Sequence, residues 1–396
     1  MKDYTMVIPT YWGMASEDMG AQEEIVFDHP TPLNETGTLP NLLDSLDILD
    51  GAEGKVVIIA VANNNDIAAL VRDKIETLVE PFRSKHDITC MHTLMLEKLA
   101  ADLKAEGVSQ EAVDILNLNN YSAVRNMCSI AGILNASKYT IFIDDDEVFH
   151  DTDFLGKIER TMGTKVNGES VRALAGYYLQ PDTPMLDESK VSAWRKPYWN
   201  NAEGMNRAFE KFILHGDMIK PTPFAFGGNM TITLDLLKQV PFDPRITRGE
   251  DIDFLINLKI SGVTFFLHRE LAIKHLPPES SSRPDWKKVR EDILRYLYER
   301  KKVADHPEVS LDYLQPYPGM FVGPDIHERV IKTNKLLKAE YEAAGDIEAA
   351  KECDANIELA RNDPFRDVDT RNWLKELTEK WQELTRRVEG RFANYV

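Results

Sequence analysis

The chain has 396 residues, 43% hydrophobic and 28% charged, enough for two or three domains or for one large α/β unit with an appendage. With 47 Lys and Arg against 65 Asp and Glu its net charge is −18, which argues against non-specific nucleic-acid binding and against docking on an anionic membrane surface. No stretch approaches the roughly 18 apolar residues of a membrane span. The opening MKDYTMVIPTYWG is too short an apolar run for a signal peptide, and Pro9 interrupts it. Cys90, Cys128 and Cys353 lie far apart in no CxxC spacing, so a reduced, cytoplasmic protein is expected.

In chain order, TMVIPTY (5–11) reads as a buried strand ending at a Pro-containing turn, and 14–38 reads as loop. Leu42, Leu43, Leu46 and Leu49 recur at helical spacing in 41–49. GKVVIIAVANN (54–64) is a second buried strand, followed by an amphipathic helix over 66–82 with Asp66 as N-cap. A weaker strand at 88–94, a polar helix near 95–106, a helix over 121–136 and the strand YTIFI (139–143) come next. This alternation predicts a mostly parallel sheet covered by helices on both faces. Ligands of such sheets gather at the carboxyl ends of the strands, where Tyr11, Asn63 to Asn65 and Asp144 to Glu147 all fall.

A further strand is expected at 171–179, then an irregular aromatic segment over 182–220. Trp194, Tyr198, Trp199 and Phe209 in it suit either sugar stacking or a core. From about 285 the chain turns helical and charged, with two long helices expected over 325–362 and 368–392. Two regions are therefore predicted: 1–284, carrying the sheet and the chemistry, and 285–396, a helical extension that closes over an acceptor or joins two copies of the chain.

Four features bear on chemistry. A buried strand runs straight into Asp144, Asp145, Asp146 and Glu147. Four adjacent carboxylates repel one another, so they require either full hydration or a cation. A hard divalent ion, Mg²⁺ or Mn²⁺, binds such oxygens and keeps positions open for phosphate; the bland alternative is a solvated turn capping the next helix. In RGEDIDFL, Gly249 precedes Glu250 and Asp251 at a helix start, where a carboxylate serves as a cap or as a general base. Gly227, Gly228 and Asn229 form a loop that permits a close ligand approach or simply a tight turn. His275 ends a strand on the same rim and suits a metal or a structural role.

Taken in order, VIPTY, NNN, AVRN, DDDE, FGGN, GED and His275 resemble the GT-A fold glycosyltransferases, and family 2 in particular. The resemblance spans about 4–278, is sharpest over 123–146 and 226–251, and is absent beyond about 285. It implies an α/β, Rossmann-like sheet and a metal-dependent transfer of a sugar, a hexose above all, from a UDP- or GDP-sugar to an acceptor hydroxyl. By this resemblance Pro9, Thr10 and Tyr11 line the base and ribose, and Asn63 stands where relatives often carry an acid. Arg125 and Asn126 pack under the donor, Asp144 and Asp146 match the DxD motif, and Asp145 between them is a donor-binding residue. Asp146, Asp144 and His275 are the implied ligands of Mn²⁺ or Mg²⁺. Gly228 and Asn229 adjoin the transferred sugar, and Asp251, with Glu250 beside it, is the base of an inverting reaction. Alternatives are a retaining enzyme of the mannosylglycerate synthase type, which needs no such base, and a non-catalytic carbohydrate-binding protein. A nucleotidyltransferase fits less well, since PTYWGMASEDMG is a poor Gly-rich loop, and no GxxxxGK[ST] is present for a P-loop enzyme.

Overall fold

The fold is built on the strands β1 (Tyr4–Gly13), β2 (Thr31–Pro32), β3 (Lys55–Ala62), β4 (Asp87–Met91), β5 (Tyr139–Phe142), β6 (Glu147–Val148), β7 (Lys165–Val166), β8 (Glu169–Ser170), β9 (Ala173–Leu179), β10 (Ile219–Pro221), β11 (Met230–Thr233) and β12 (Phe266–His275). The computed structural model describes residues 3–15, 26–28, 30–277 and 283–395. The main sheet has the order β10-β12-β9-β11-β5-β1-β3-β4, with β2 beside β1 and β6 beside β12. β4, β3, β1 and β5 are mutually parallel, as are β9 and β12. β11 runs antiparallel between β5 and β9. The α/β architecture expected from the sequence is the one observed.

The first strand runs two residues past its expected end. Pro9 does not stop β1, which pairs with β3 as far as Trp12↔Ala62. The reason is the register. The Ile143 N–H bonds the Val7 carbonyl, so Val7 and, two residues on, Pro9 both turn their backbone groups toward β5. β5 ends at Phe142, so no ladder bond is asked of the proline.

Both faces of the sheet are covered, as near-continuous apolar strands require. Val7, Val57, Ile59 and Phe142 pack on the helix Tyr121–Leu134. The alternate residues Met6, Ile8, Ile58 and Ile141 pack on the helices Leu39–Ser45 and Ala68–Val79. That second helix begins later than expected: Asp66 does not cap it but lies in a preceding 3₁₀ turn, Asn65–Ile67, which Asn64 caps by accepting the Asp66 N–H. The segment 182–220 is less irregular than expected, containing the helix Asn201–Phe209, capped by Asn200, and a π-helical turn at Glu210–Leu214. Trp194, Trp199 and Phe209 belong to the core.

The extension comprises the helices Asp285–Asp305, Ile326–Ala343, Ile347–Arg361 and Thr370–Val388. The single helix expected over 325–362 is two, broken where Gly345 adopts φ +78°. Ile293, Tyr296, Leu297 and Phe321 of this region share one core with Phe226, Ile252, Ile256 and Leu267 of the sheet region. Among the described residues no helix is long and apolar enough to cross a membrane.

Candidate active site

Topology assembles the site. The parallel strands β1, β3 and β5 deliver their carboxyl ends to one rim. Because β11 is antiparallel, its first residue, Met230, faces Phe142 of β5 and Ala175 of β9. The loop before β11, carrying Gly227 and Gly228, therefore lies on the rim with the acidic turn. β12 brings His275 there as well, paired with Glu147 of β6.

The four carboxylates are not equivalent. β5 does not continue through them: a tight turn closed by the Glu147 N–H to the Asp144 carbonyl puts Asp145 and Asp146 at its tip. Asp145 accepts a hydrogen bond from Thr10 Oγ1 at 2.5 Å. Burial and the charge of Asp146 push the Asp145 carboxyl well above the usual range. Glu147 is a correction to the expected hydrated or cation-bound block of four: it is fully buried and folds back to accept the Asp144 N–H at 3.2 Å. Burial, followed by Asp144 and Asp146, raises its pKa strongly. Asp144 is held by Arg125, with Nη1 2.8 Å from Oδ1 and Nη2 donating to Oδ2 at 3.1 Å. Asp146 meets His275 Nε2 at 3.2 Å. Burial alone would depress the imidazole, but the hydrogen bond and charge of Asp146 outweigh it, and its pKa lies above the ordinary value.

Tyr178, at the end of β9, ties these groups together. Its ring stacks on His275 at 4.9 Å and 21°. Its hydroxyl accepts the Gly228 N–H at 2.8 Å and lies 3.4 Å from Asp144 Oδ2. Gly228 has no room for a side chain, since a Cβ there would fall 2.2 Å from Glu147 Oε1 and 2.6 Å from the Asp144 carboxylate. At Gly227 it would fall 2.4 Å from Arg125 Nη2.

Asp251 lies on the other side of the glycine loop. Gly249 takes a left-handed conformation, φ +74°, and starts the helix Glu250–Ile260. Asp251 Oδ2 accepts the Gly227 N–H at 3.2 Å, and Oδ1 accepts the Ile252 N–H at 2.8 Å. Burial first, and Glu250 second, raise its pKa to about 7, while Arg125 and Arg295 oppose them. Glu250 turns inward to Arg125 Nε at 3.1 Å. Arg125 thus bridges the acidic turn to the Glu250–Asp251 turn, and it is only 4% exposed.

The remaining expected residues fall into two groups. Tyr11 lines the aromatic trio Tyr11, Phe27 and Tyr121, and Asn63 accepts the Val26 and Phe27 N–H groups. An open cavity of about 360 Å³ beside them is lined by Phe27, Asn64, Asn65 and Asn119 among others. By contrast, Asn126 and Asn229 face inward. Asn126 bonds both the N–H and the carbonyl of Phe242. Asn229, 1% exposed, donates to the carbonyls of Tyr177 and Leu271 and braces the register shift between β9 and β12. Pro9 carries no ligand-facing polar group. Tyr178, Arg248 and Arg295 were not singled out by the sequence, because a strand-end tyrosine and two arginines carry no local motif.

Among the described residues no three His, Cys, Asp or Glu side chains are already gathered as a metal site. The chemistry of the donor set nonetheless suits a hard divalent cation. Asp146 and His275 adjoin each other, and the buried His275 Nδ1 has no hydrogen-bond partner.

No family model and no curated protein sequence matches the chain. Among solved structures it is similar to a mannosyltransferase, PcManGT, from Pyrobaculum calidifontis, determined in complex with GDP-Man and Mn²⁺. The identity is 13% and the TM-score 0.45, over 98% of this chain and 86% of that one. It is also similar to mouse xyloside xylosyltransferase 1 in its apo form, at 13% identity and TM-score 0.30, over 64% of this chain and 75% of that one.

Proposed function

We propose that the protein is a glycosyltransferase that moves a sugar, most simply a hexose, from a nucleoside-diphosphate sugar to an acceptor hydroxyl with inversion. One observation carries the reading: the Gly227–Gly228 loop has Asp251 on one side and the Asp144–Asp146 turn with His275 on the other. A reacting centre lying over that loop meets a base and an acidic, metal-binding turn at once.

In this reading Asp146 and His275 hold Mn²⁺ or Mg²⁺, with Asp144 next to them. The ion, when bound, neutralises the charge that develops on the departing diphosphate. Tyr11 and the cavity beside Asn63 receive the nucleoside of a UDP- or GDP-sugar, while Thr10, fully buried, holds Asp145. Gly227 and Gly228 let the sugar approach the backbone. Asp251 takes the proton of the acceptor hydroxyl as that oxygen attacks the sugar. A carboxylate whose pKa stands at about 7 is well matched to that step at neutral pH. Glu250 orients Arg125 and through it Asp144, so it serves position rather than proton transfer.

The test is release of nucleoside diphosphate from UDP- and GDP-sugars with Mn²⁺, with a panel of hydroxyl acceptors, in wild type and Asp251→Asn. Metal-dependent release in wild type, lost in the variant, supports the reading. Release by Asp251→Asn at the wild-type rate contradicts the inverting assignment, and no release with any donor contradicts the reading as a whole.

A further inference from the structure

The helix Asp285–Asp305 lies beyond the motifs read from the sequence, yet one of its side chains touches the turn that carries Asp251. Arg295 is 7% exposed. A Cβ at Gly249 would fall 1.5 Å from Arg295 Nη1 and 2.6 Å from its Cζ, so the Nη1 edge of the guanidinium presses against the Gly249 Cα. That contact needs a glycine twice over, once for φ +74° and once for space. The guanidinium is fixed on its other sides. It stacks on the Tyr296 ring at 4.3 Å, donates to the Tyr317 hydroxyl at 3.2 Å, and lies 3.8 Å from Asp292 Oδ1 and 3.9 Å from Glu299 Oε1.

The neighbouring Arg248 is anchored to the same helix, 3.5 Å from Asp292, and to Asp28 at 3.1 Å. Asp292 in turn accepts from Trp199 Nε1 and Asn201 Nδ2. Each residue of the 248–250 turn therefore has a charged partner fixed by tertiary structure: Asp28 and Asp292 for Arg248, Arg295 for Gly249, Arg125 for Glu250.

We propose that Arg295 is a positioning residue for Asp251: it seats the Gly249 turn and thereby holds a buried positive charge against the residue two positions before the carboxylate. The inference rests on the reading of Asp251 as the base, and it makes the helical extension part of the active site rather than a separate module. Among the described residues, the charged groups that act on Asp251 are Glu250 on its own helix, Arg125 from the helix Tyr121–Leu134, and Arg295 and Glu299 from the extension. Beyond them lie Asp253 and Lys302, which face Glu299, and Asp144, which faces Arg125. Arg125 is already engaged by Asp144 and Glu250. Arg295 has Glu299 and Asp292 only at 3.8–3.9 Å, and both oxygens of Glu299 lack a hydrogen-bond partner.

The test is the ¹³C-carboxyl NMR titration of Asp251, identified by the resonance lost in Asp251→Asn, together with kcat against pH. In Arg295→Met the Asp251 midpoint moves to higher pH. kcat at acidic pH falls roughly tenfold for each unit of that shift, recovering at alkaline pH, while donor affinity stays unchanged. Arg295→Lys keeps the charge but not the flat fork, so its midpoint stays near wild type while kcat drops and KM does not. An unmoved midpoint in Arg295→Met overturns the proposal, as does an unchanged kcat in Arg295→Lys. Should the methionine variant not fold, the lysine variant decides. A merely structural arginine would lower thermal stability and activity equally at every pH. The NMR titration needs no sugar donor, so its failure is separate from any failure of the glycosyltransferase reading.

Discussion

Replacing Asp251 by Asn should produce a protein that is inactive yet more resistant to alkaline pH. The Asp251 carboxyl has its pKa raised from 3.8 to about 7, first by burial and then by Glu250. A carboxyl whose folded pKa exceeds its unfolded pKa binds its proton more tightly in the native state. The stability contributed by this group is therefore fully present below pH 3.8 and is lost as pH rises toward 7. The difference, 7 − 3.8, is about three units, and at 1.36 kcal/mol per unit it amounts to roughly 4 kcal/mol.

Asparagine abolishes that loss but has its own cost. Asp251 accepts two backbone N–H groups, from Gly227 and Ile252, whereas an amide has one carbonyl oxygen. One N–H is then left facing an NH₂, at about 1–3 kcal/mol. The variant should thus be less stable than wild type near pH 4 and more stable near pH 8. The change in ΔΔG between those pH values, about 4 kcal/mol, does not depend on the lost acceptor. Urea unfolding at pH 4, 6 and 8 measures it. Parallel curves for the two proteins across that range would refute the raised pKa. Activity supplies the second half: loss of a general base costs roughly 10² to 10⁴ in kcat. Wild-type kcat should rise tenfold per pH unit below about 7 and level off above it.

Three more outcomes are expected. Asp146→Ala should abolish Mn²⁺-dependent donor binding in calorimetry, and unchanged affinity would remove Asp146 from the metal. His275→Ala should weaken Mn²⁺ binding by roughly tenfold or more and loosen Tyr178, which stacks on it; equal Mn²⁺ affinity would return His275 to a structural role. Lys302→Met should destabilise the fold by about 3–5 kcal/mol. The lysine is fully buried, 2.8 Å from Asp243 and 2.7 Å from Asp253, and its removal leaves two buried carboxylates facing each other. A loss below about 1 kcal/mol in denaturant unfolding would contradict that reading of the cluster.

The parallel strands were legible because runs such as KVVIIAVA have only one way to bury both faces, and strand-end placement correctly sent Asp144 and His275 to one rim. What stayed hidden is long-range. Nothing local says that β11 runs antiparallel, yet that reversal is what brings Gly227 and Gly228 beside the acidic turn. Glu147 looked like one more member of an acidic run, and only the turn at Asp145–Asp146 shows that it points inward. Asp66 does not cap the helix because it falls inside a 3₁₀ turn that Asn64 caps. Gly345 was a visible helix breaker inside a charged, periodic stretch whose pattern masked it. Arg295 lies 44 to 46 residues from Gly249 and Asp251 and was unreadable without the packing of its helix.

The most direct test of the central claim is a thermal-shift screen of the purified protein against UDP-, GDP-, dTDP- and CDP-sugars, with and without Mn²⁺ or Mg²⁺, beside Asp146→Ala. A ligand that binds only the native state raises Tm by mass action. The account predicts a rise that needs both one nucleotide sugar and the metal and that vanishes in Asp146→Ala. Tm values indifferent to every donor and metal pair would contradict it.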